Sequence, residues 1–254
     1  LEPLGSVESD LVLAVSLHGL RSGIRGSTFQ VSSDPDVEGF YLSPSVPAVG
    51  EHLESVVREL VRSYPIDGLH LDFVRYPGPQ YDYSRAALQG FRQRSGGGDL
   101  LGAPGRDPAA WDDYRRRLLT VLTTRLADAG RAERPGIVVS AAVVPDLAPA
   151  VAHKFQDWPA WLVSGVLSAV CPMTYTPDNR LFQQQLQDAR QKANGQPVWA
   201  GIGAYRLDPA GIVEKIALAR QTGAHGVVLF SHESLDAAYL RRLRDEFSPG
   251  REAR

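Results

Sequence analysis

Six short apolar segments with strand-like composition alternate with helical patterns, and this alternation constrains the fold more than any other feature of the chain. The segments are residues 11–17, 68–74, 137–144, 166–175, 198–205 and 226–231. Apolar residues between them follow one helix face, as in 49–61, 111–126, 212–219 and 236–247. Alternating strands and helices imply right-handed crossovers and a parallel sheet.

A (β/α)8 barrel needs eight such units and usually has about 250 residues. The chain has 254 residues, six recognisable units and one long loop. We therefore predict one α/β domain, residues 1–254, that forms a TIM-type barrel lacking its first two βα units. An open six-stranded sheet is the alternative. Because the chain starts with Leu1 rather than Met, we expect a fragment or a processed form.

Composition excludes several classes of partner. The net charge is -2, with acids and bases interspersed, so neither a nucleic acid nor an anionic membrane surface is expected as partner. Cys171 is the single cysteine, which leaves no intrachain disulfide and no thiolate zinc cluster. No apolar run approaches the length of a membrane span, so no membrane-spanning segment is predicted.

The strand that starts at residue 68 carries polar groups on one face. Leu69, Leu71 and Phe73 share one side of this predicted strand, and His70 and Asp72 share the other. A barrel strand with catalytic groups at its C-terminal end has this pattern. The alternative is a structural ion pair between Asp72 and Arg75 three residues later.

A long loop follows this strand, from residue 77 to residue 108, and includes three consecutive glycines. Structureless loops of this length are usually functional or disordered. On a barrel it would lie on the catalytic face, where Tyr76, Tyr81 and Tyr83 would line a sugar cleft. A solvated insertion with a locally packed tyrosine cluster explains the same residues.

The later strands also end in polar or aromatic groups. Asp146, Tyr175, Asp178 and Glu233 follow three of them. Carboxylates and aromatic rings on one rim suit carbohydrate chemistry, since glycosidases need two carboxyl groups flanking the scissile bond. A hydrolytic metal site needs three or more ligands, and besides His70 only His18 and His232 fall near strand ends, so no metal is predicted.

No cofactor is predicted either. Gly201 and Gly203 do not form the Gly-x-Gly-x-x-Gly pattern that opens a helix in dinucleotide-binding proteins, and the chain has no P-loop. Trp199 and Phe230 lie inside strands, where large aromatic residues usually pack in the core.

Residues 40–49, with the helix after them and the His-Leu-Asp-Phe-Val-Arg-Tyr-Pro strand at 70–77, resemble the bacterial glycosyl hydrolase-like 10 family. Residues 158–161 and 172–175 resemble its later motifs, and the match covers roughly residues 36–235. The family usually has a Trp-x-Asn-like ending on its third barrel strand, and this chain has Ser16-Leu17-His18 at that place.

The resemblance implies a TIM-barrel glycoside hydrolase acting on bacterial cell-surface or cell-wall glycans, and hence an exported protein. It places acidic residues at the ends of the fourth and sixth barrel strands, here Asp72 as nucleophile and Asp178 as acid/base. The partner would be a polysaccharide or oligosaccharide. A non-catalytic glycan-binding barrel is the alternative, and the second carboxylate discriminates between them.

Each predicted site residue has a structural alternative. Asp178 is equally suited to cap the helix that starts near Arg180, with Asp146 and Glu233 then as reserve acids or substrate contacts. Glu233 would instead cap the final helix together with Ser231. His70, Arg75, Tyr76 and Tyr175 are predicted substrate contacts: His70 by binding a sugar hydroxyl or orienting Asp72, and Arg75 by pairing with Asp72 or holding an anionic substituent.

Overall fold

The structure is a computed structural model that describes residues 41–96 and 103–247, together with the backbone of residues 12–16. Six strands alternate with helices along the chain, as the sequence predicts. The strands are β1 (Val12–Ser16), β2 (Gly68–Asp72), β3 (Val138–Val143), β4 (Ala169–Pro172), β5 (Trp199–Gly203) and β6 (Gly226–Phe230).

Nine α-helices are described between and after these strands. They are α1 (Pro47–Ser63), α2 (Arg85–Arg94), α3 (Ala103–Arg106), α4 (Pro108–Glu133), α5 (Leu147–His153), α6 (Trp158–Val163), α7 (Asn179–Ala193), α8 (Pro209–Gln221) and α9 (Ala237–Phe247). Asp107 and Asp208 cap the backbone N–H groups that open α4 and α8, and a proline follows each of them at the first helical position.

The described strands pair in parallel and in sequential order. One sheet has the order β1-β2-β3-β4, a second contains β5 and β6, and bridges at Val170–Val198 and Met173–Gly201 join the two. A Cβ at Gly201 would lie 2.6 Å from the Pro172 carbonyl oxygen, so glycine permits the close approach of β5 to β4. The reversal of order typical of a doubly wound sheet is not seen in these strands. The pairings described include none between β6 and β1.

The two faces of β2 have the different environments that its sequence predicts. Leu69 and Leu71 are buried on the helical side, where a Cβ at Gly130 of α4 would lie 2.7 Å from a Leu69 methyl group. His70 faces the other way and meets Ser140, its partner in the register of β3. The core that contains Leu69 and Leu71 therefore lies between the strands and the helices. The polar face of β2 lies on the opposite side of the sheet.

All six strands end earlier than predicted, and two of these ends lie at the site. β2 stops at Asp72 because Phe73 takes a φ of 56°, so Phe73 does not continue the apolar face of the strand. β4 stops at Pro172, since the amides of Thr174, Tyr175 and Thr176 each donate to the carbonyl two residues earlier. The residues after each turn therefore lie at the carboxyl ends of the strands, the edge of the sheet that we call the rim.

The prediction of a structureless loop over residues 77–108 is wrong for the part that the structure describes. Helix α2 is capped by Ser84, whose hydroxyl accepts from the Ala87 amide, and the short helix α3 precedes α4. A separate apolar cluster fixes α2 against α4; its members are Ala87, Leu88, Phe91, Trp111 and Tyr114.

Candidate active site

Asp72 is the last residue of β2 and the central residue of the candidate site. Its Oδ1 accepts a hydrogen bond from the Phe73 amide at 2.7 Å, and the Arg75 guanidinium lies 3.8 Å from the same oxygen. The side chain is 19% exposed, so it is largely enclosed yet accessible from the rim. A fixed carboxylate with access to solvent can act as a nucleophile or as a base that activates water.

Arg75 forms the ion pair with Asp72 that the sequence suggests. Its guanidinium also lies 4.4 Å above the Phe73 ring and 3.6 Å from the Met173 sulfur. Arg75 therefore joins the carboxyl end of β2 to the residue that follows β4. These contacts fix the arginine beside Asp72, where it also neutralises part of that charge.

His70 lies one layer below Asp72 on the same face of β2. Its Nδ1 is 2.9 Å from the Ser140 hydroxyl, and the ring is buried. Burial lowers the pKa of His70, and the negative charge of Asp72 offsets this only in part. A neutral imidazole in this position supports the floor of the site and does not reach the rim surface.

Tyr175 comes three residues after β4, at the carboxyl end of that strand. Burial raises the pKa of Tyr175 above its ordinary range, and Cys171 and Asp72 raise it further, while Arg75 lowers it. Burial, with a contribution from Asp72, also raises the pKa of Cys171 to about 12. Asp72 therefore lies close enough to Tyr175 and Cys171 for its charge to act on both groups.

Asp178 has the contacts of a helix cap. Its Oδ1 accepts from the amides of Arg180 and Leu181 at 2.8 and 3.0 Å, at the start of α7. These two hydrogen bonds lower the pKa of Asp178, whereas a general acid requires a raised pKa. The side chain is exposed, and no described contact joins it to Asp72. The geometry favours the capping interpretation over the catalytic one.

The two reserve carboxylates also lie at the carboxyl ends of strands. Asp146 precedes α5 without a side-chain capping bond, and Glu233 lies in a short 3-10 turn after β6; both are exposed. The predicted cap of the final helix by Glu233 and Ser231 is wrong, because Asp236 accepts from the Tyr239 amide at 2.8 Å. Glu233 is thus not used as the cap of α9.

Tyr76 does not line a cleft as the sequence suggested. It is buried, with its ring 5.2 Å from that of Phe155 in an edge-to-face contact. Tyr83 packs on Trp111 with ring centroids 5.4 Å apart. The alternative of a locally packed tyrosine cluster therefore describes Tyr76 and Tyr83 better, although Tyr83 remains 43% exposed.

Sequence reasoning missed Gln156, which is fully buried beside the site. Its Oε1 accepts from the Val144 amide at 2.8 Å, and its Nε2 donates to the carbonyls of Val74 and Ala142 at 3.1 and 3.0 Å. One side chain thus ties the segment after Asp72 to the end of β3. A single glutamine in a loop has no periodic pattern, so no sequence signal identifies it.

Phe230 was predicted to be a core residue and is instead partly exposed. Its ring stacks on Tyr175 at 5.5 Å, and Tyr205 adds an edge contact. Phe230 is the last residue of β6, and the other residues of this strand are also partly or largely exposed. The exposure of Phe230 therefore follows from the exposed position of the whole strand in the part of the chain that the structure describes.

Neither a metal centre nor a membrane segment emerges from the residues described. Residues 41–96 and 103–247 hold no group of three His, Cys, Asp or Glu side chains placed to bind a metal ion. Over the same part of the chain, no helix combines the length and apolar character needed to cross a bilayer.

Comparison with known protein families identifies the family to which the chain is similar. The family model Glycosyl hydrolase-like 10 matches residues 20–206, which is about three quarters of the sequence. The chain belongs to the glycosyl hydrolase-like 10 family.

A curated relative of this chain is Glycosyl hydrolase DigH of Escherichia coli (strain K12), which is 26% identical over 158 residues. The match covers 56% of this chain and 33% of that protein. The protein of the same name from Shigella flexneri matches to the same extent. The matched part thus corresponds to about a third of the length of these relatives.

Solved structures with a similar fold are glycosidases. An α-L-fucosidase isoenzyme 2 from Paenibacillus thiaminolyticus superimposes with a TM-score of 0.58 at 18% identity, covering 81% of this chain and 30% of that one. Bee venom hyaluronidase, in complex with a hyaluronic acid tetramer, gives 0.57 at 14% identity and covers 93% and 83%. At these identities the likeness concerns the fold. With the family, it supports a glycan-related hydrolase at a coarse level.

Proposed function

We propose that this protein is a glycoside hydrolase that cleaves bacterial cell-wall glycans on the rim of a TIM-type barrel, with Asp72 as nucleophile or as the base that activates water. The observation that carries the proposal is the placement of Asp72 at the carboxyl end of β2, held by the Phe73 amide and Arg75. Tyr175 lies close enough for the charge of Asp72 to raise the pKa of the tyrosine. Barrel enzymes place their catalytic groups at this end of the strands.

The fold supports the barrel part of the proposal. Parallel strands in sequential order, covered by helices, are the arrangement of a barrel sector. The glycosidase structures that the chain resembles support the same architecture.

The proposal needs a second carboxyl group as general acid. Asp178 was the first choice from sequence, but the lowered pKa and the capping bonds weigh against it. Asp146 and Glu233 are the preferred candidates for the general acid, since each follows a strand on the same rim and neither caps a helix through its side chain. Cell-wall glycans as substrate, and hence export of the protein, follow from the family resemblance.

A non-catalytic glycan-binding barrel is the second candidate function. It is favoured by one observation, namely that Asp178, the expected partner of Asp72, is engaged as a helix cap. Such a protein would keep the aromatic rim and the cleft without the second carboxyl group.

One experiment separates the two functions. The full-length protein is incubated with peptide-free glycan strands from bacterial cell walls, and both bound strands and reducing ends are measured over time. A hydrolase releases reducing ends in proportion to protein concentration, with heat-denatured protein as the control. Strand binding without new reducing ends would establish the binding barrel instead.

A further inference from the structure

Three aromatic side chains form one continuous cluster at the carboxyl ends of β4, β5 and β6. We call this set, Tyr175, Tyr205 and Phe230, the rim aromatic cluster. The rings of Tyr175 and Phe230 are stacked, with centroids 5.5 Å apart and planes 9° apart. Tyr205 stands edge-on to both, at 6.2 and 6.3 Å.

The cluster is held in place from beneath. A Cβ at Gly203 would lie 3.1 Å from Tyr175 Cβ and 3.2 Å from the Tyr205 ring, so a glycine lets the two rings close over the end of β5. Arg206 donates to the Tyr175 carbonyl at 3.0 Å, and its guanidinium lies 5.4 Å from the Tyr205 ring centroid. The rings are thus positioned before any ligand arrives, which lowers the entropic cost of binding.

The surface of the cluster is unusually apolar for an exposed position. Tyr205 is 51% exposed and Phe230 is 43% exposed, so two large aromatic side chains in contact with each other lie at the surface. Exposed contiguous apolar surface of this kind marks binding sites more often than it marks ordinary surface.

The cluster is continuous with the candidate active site. Tyr175 belongs to it and lies close enough to Asp72 for that charge to raise the tyrosine pKa. Met173, two residues earlier, contacts Arg75, the ion-pair partner of Asp72. A ligand seated on the exposed rings would therefore extend toward the carboxylate.

We propose that Tyr205 and Phe230 form a sugar-binding subsite that stacks on the apolar C–H face of a pyranose ring and directs the glycan strand toward Asp72. This assignment rests on the proposed function for its substrate class. The occupant is a neutral or N-acetylated pyranose, because the exposed surface is apolar and aromatic. Tyr175, half-buried between the rings and Asp72, marks the inner end of the subsite.

The test measures binding rather than turnover. Full-length protein carrying Asp72→Asn is titrated with a β-1,4-linked N-acetylglucosamine tetrasaccharide by calorimetry. Loss of one aromatic contact is worth about tenfold in affinity, so Tyr205→Ala and Phe230→Ala should each raise Kd by about tenfold. Tyr205→Phe keeps the ring and should bind within about twofold of the parent.

Tyr64→Ala is the matched control, because Tyr64 is 54% exposed and follows α1, at the end of the sheet opposite to the rim. It should leave Kd unchanged. Equal affinity of the Tyr205→Ala, Phe230→Ala and Tyr64→Ala proteins would overturn the assignment. A lowered melting temperature with unchanged Kd would also overturn it, since it would show that another part of the protein covers the rings.

The binding test of the subsite can succeed or fail independently of the hydrolysis test. If the wild-type protein releases no reducing ends while the two alanine variants lose affinity, the hydrolase proposal fails and the subsite stands. If hydrolysis depends on Asp72 while the variants bind as tightly as the control, the subsite fails and the hydrolase proposal stands.

Discussion

At the scale of single residues, two aspartates of the rim differ by their surroundings. Asp72 accepts one backbone hydrogen bond, faces a guanidinium and lies in an enclosed region. Asp178 accepts two backbone hydrogen bonds at a helix start and lies in solvent. The first arrangement leaves an oxygen available for chemistry, whereas the second uses the carboxylate to stabilise the helix.

The capping role of Asp178 predicts a specific pattern of substitutions. Asp178→Ala should lower the melting temperature, because the amides of Arg180 and Leu181 lose their acceptor. Asp178→Ser removes the carboxyl group but keeps a capping oxygen, so it should restore stability and retain glycan hydrolysis. Loss of hydrolysis in the Asp178→Ser protein at wild-type stability would return Asp178 to the role of general acid.

His70 predicts a pH dependence of stability. Its folded-state pKa is lowered by burial, so the unfolded chain binds more protons as pH falls. The stabilising contribution is therefore fully present above the unfolded pKa of about 6.5 and is lost as pH falls toward the folded pKa. His70→Asn should flatten the decline in urea midpoint between about pH 7.5 and about pH 5, relative to the wild-type protein.

His52→Asn is the control for this titration, since His52 is exposed on α1. It should show the wild-type decline. Parallel curves for the His70→Asn and wild-type proteins would show that His70 does not contribute to the acid sensitivity.

At the scale of elements, the segment after β2 is fixed by side chains from two other elements. Gln156 binds the Val74 carbonyl from the loop after α5, and Lys154 donates to the Pro77 carbonyl. Arg115 of α4, itself buried, donates to the carbonyls of Pro79 and Tyr81. The backbone that follows Asp72 is therefore fixed by hydrogen bonds whose donors belong to distant parts of the chain.

Gln156→Leu should be strongly destabilising. It would leave one partly buried amide and two buried carbonyls without the glutamine as partner, at a cost of about 3 kcal/mol in the free energy of unfolding. Urea unfolding of the full-length protein measures this cost. Gln187→Leu, on the exposed side of α7, should change the free energy of unfolding little. A small loss in the Gln156→Leu protein would show that water replaces these hydrogen bonds.

At the scale of the whole molecule, periodicity predicted the strands and helices because each pattern is local. The alternation of Leu69, His70, Leu71 and Asp72 indicated both faces of β2, and the structure has them as predicted. The strand ends were misplaced because neither the φ of 56° at Phe73 nor the tight turns after Pro172 have a periodic pattern in the sequence.

Only some residues of the site were predictable from the sequence, because a sequence pattern carries local information. Asp72, Arg75 and Tyr175 follow strands, so the rule that strand ends meet on one rim predicts their proximity. Tyr76 is buried because it packs on Phe155, which lies far along the chain, and no local pattern carries that information. The predictions that fall on His18 and on residue 40 lie outside the described residues.

The most direct test of the whole account is the rate of glycan hydrolysis by the Asp72→Asn protein. The substitution keeps the shape of the side chain and removes its charge, so binding should persist while hydrolysis falls by about a thousandfold or more, equivalent to ~4 kcal/mol of transition-state stabilisation. Full-length wild-type, Asp72→Asn and Asp128→Asn proteins are compared on cell-wall glycan strands by counting reducing ends, Asp128 being an exposed acid of α4. The account predicts loss of hydrolysis in the Asp72→Asn protein alone, with strand affinity retained; undiminished hydrolysis by that protein would contradict it.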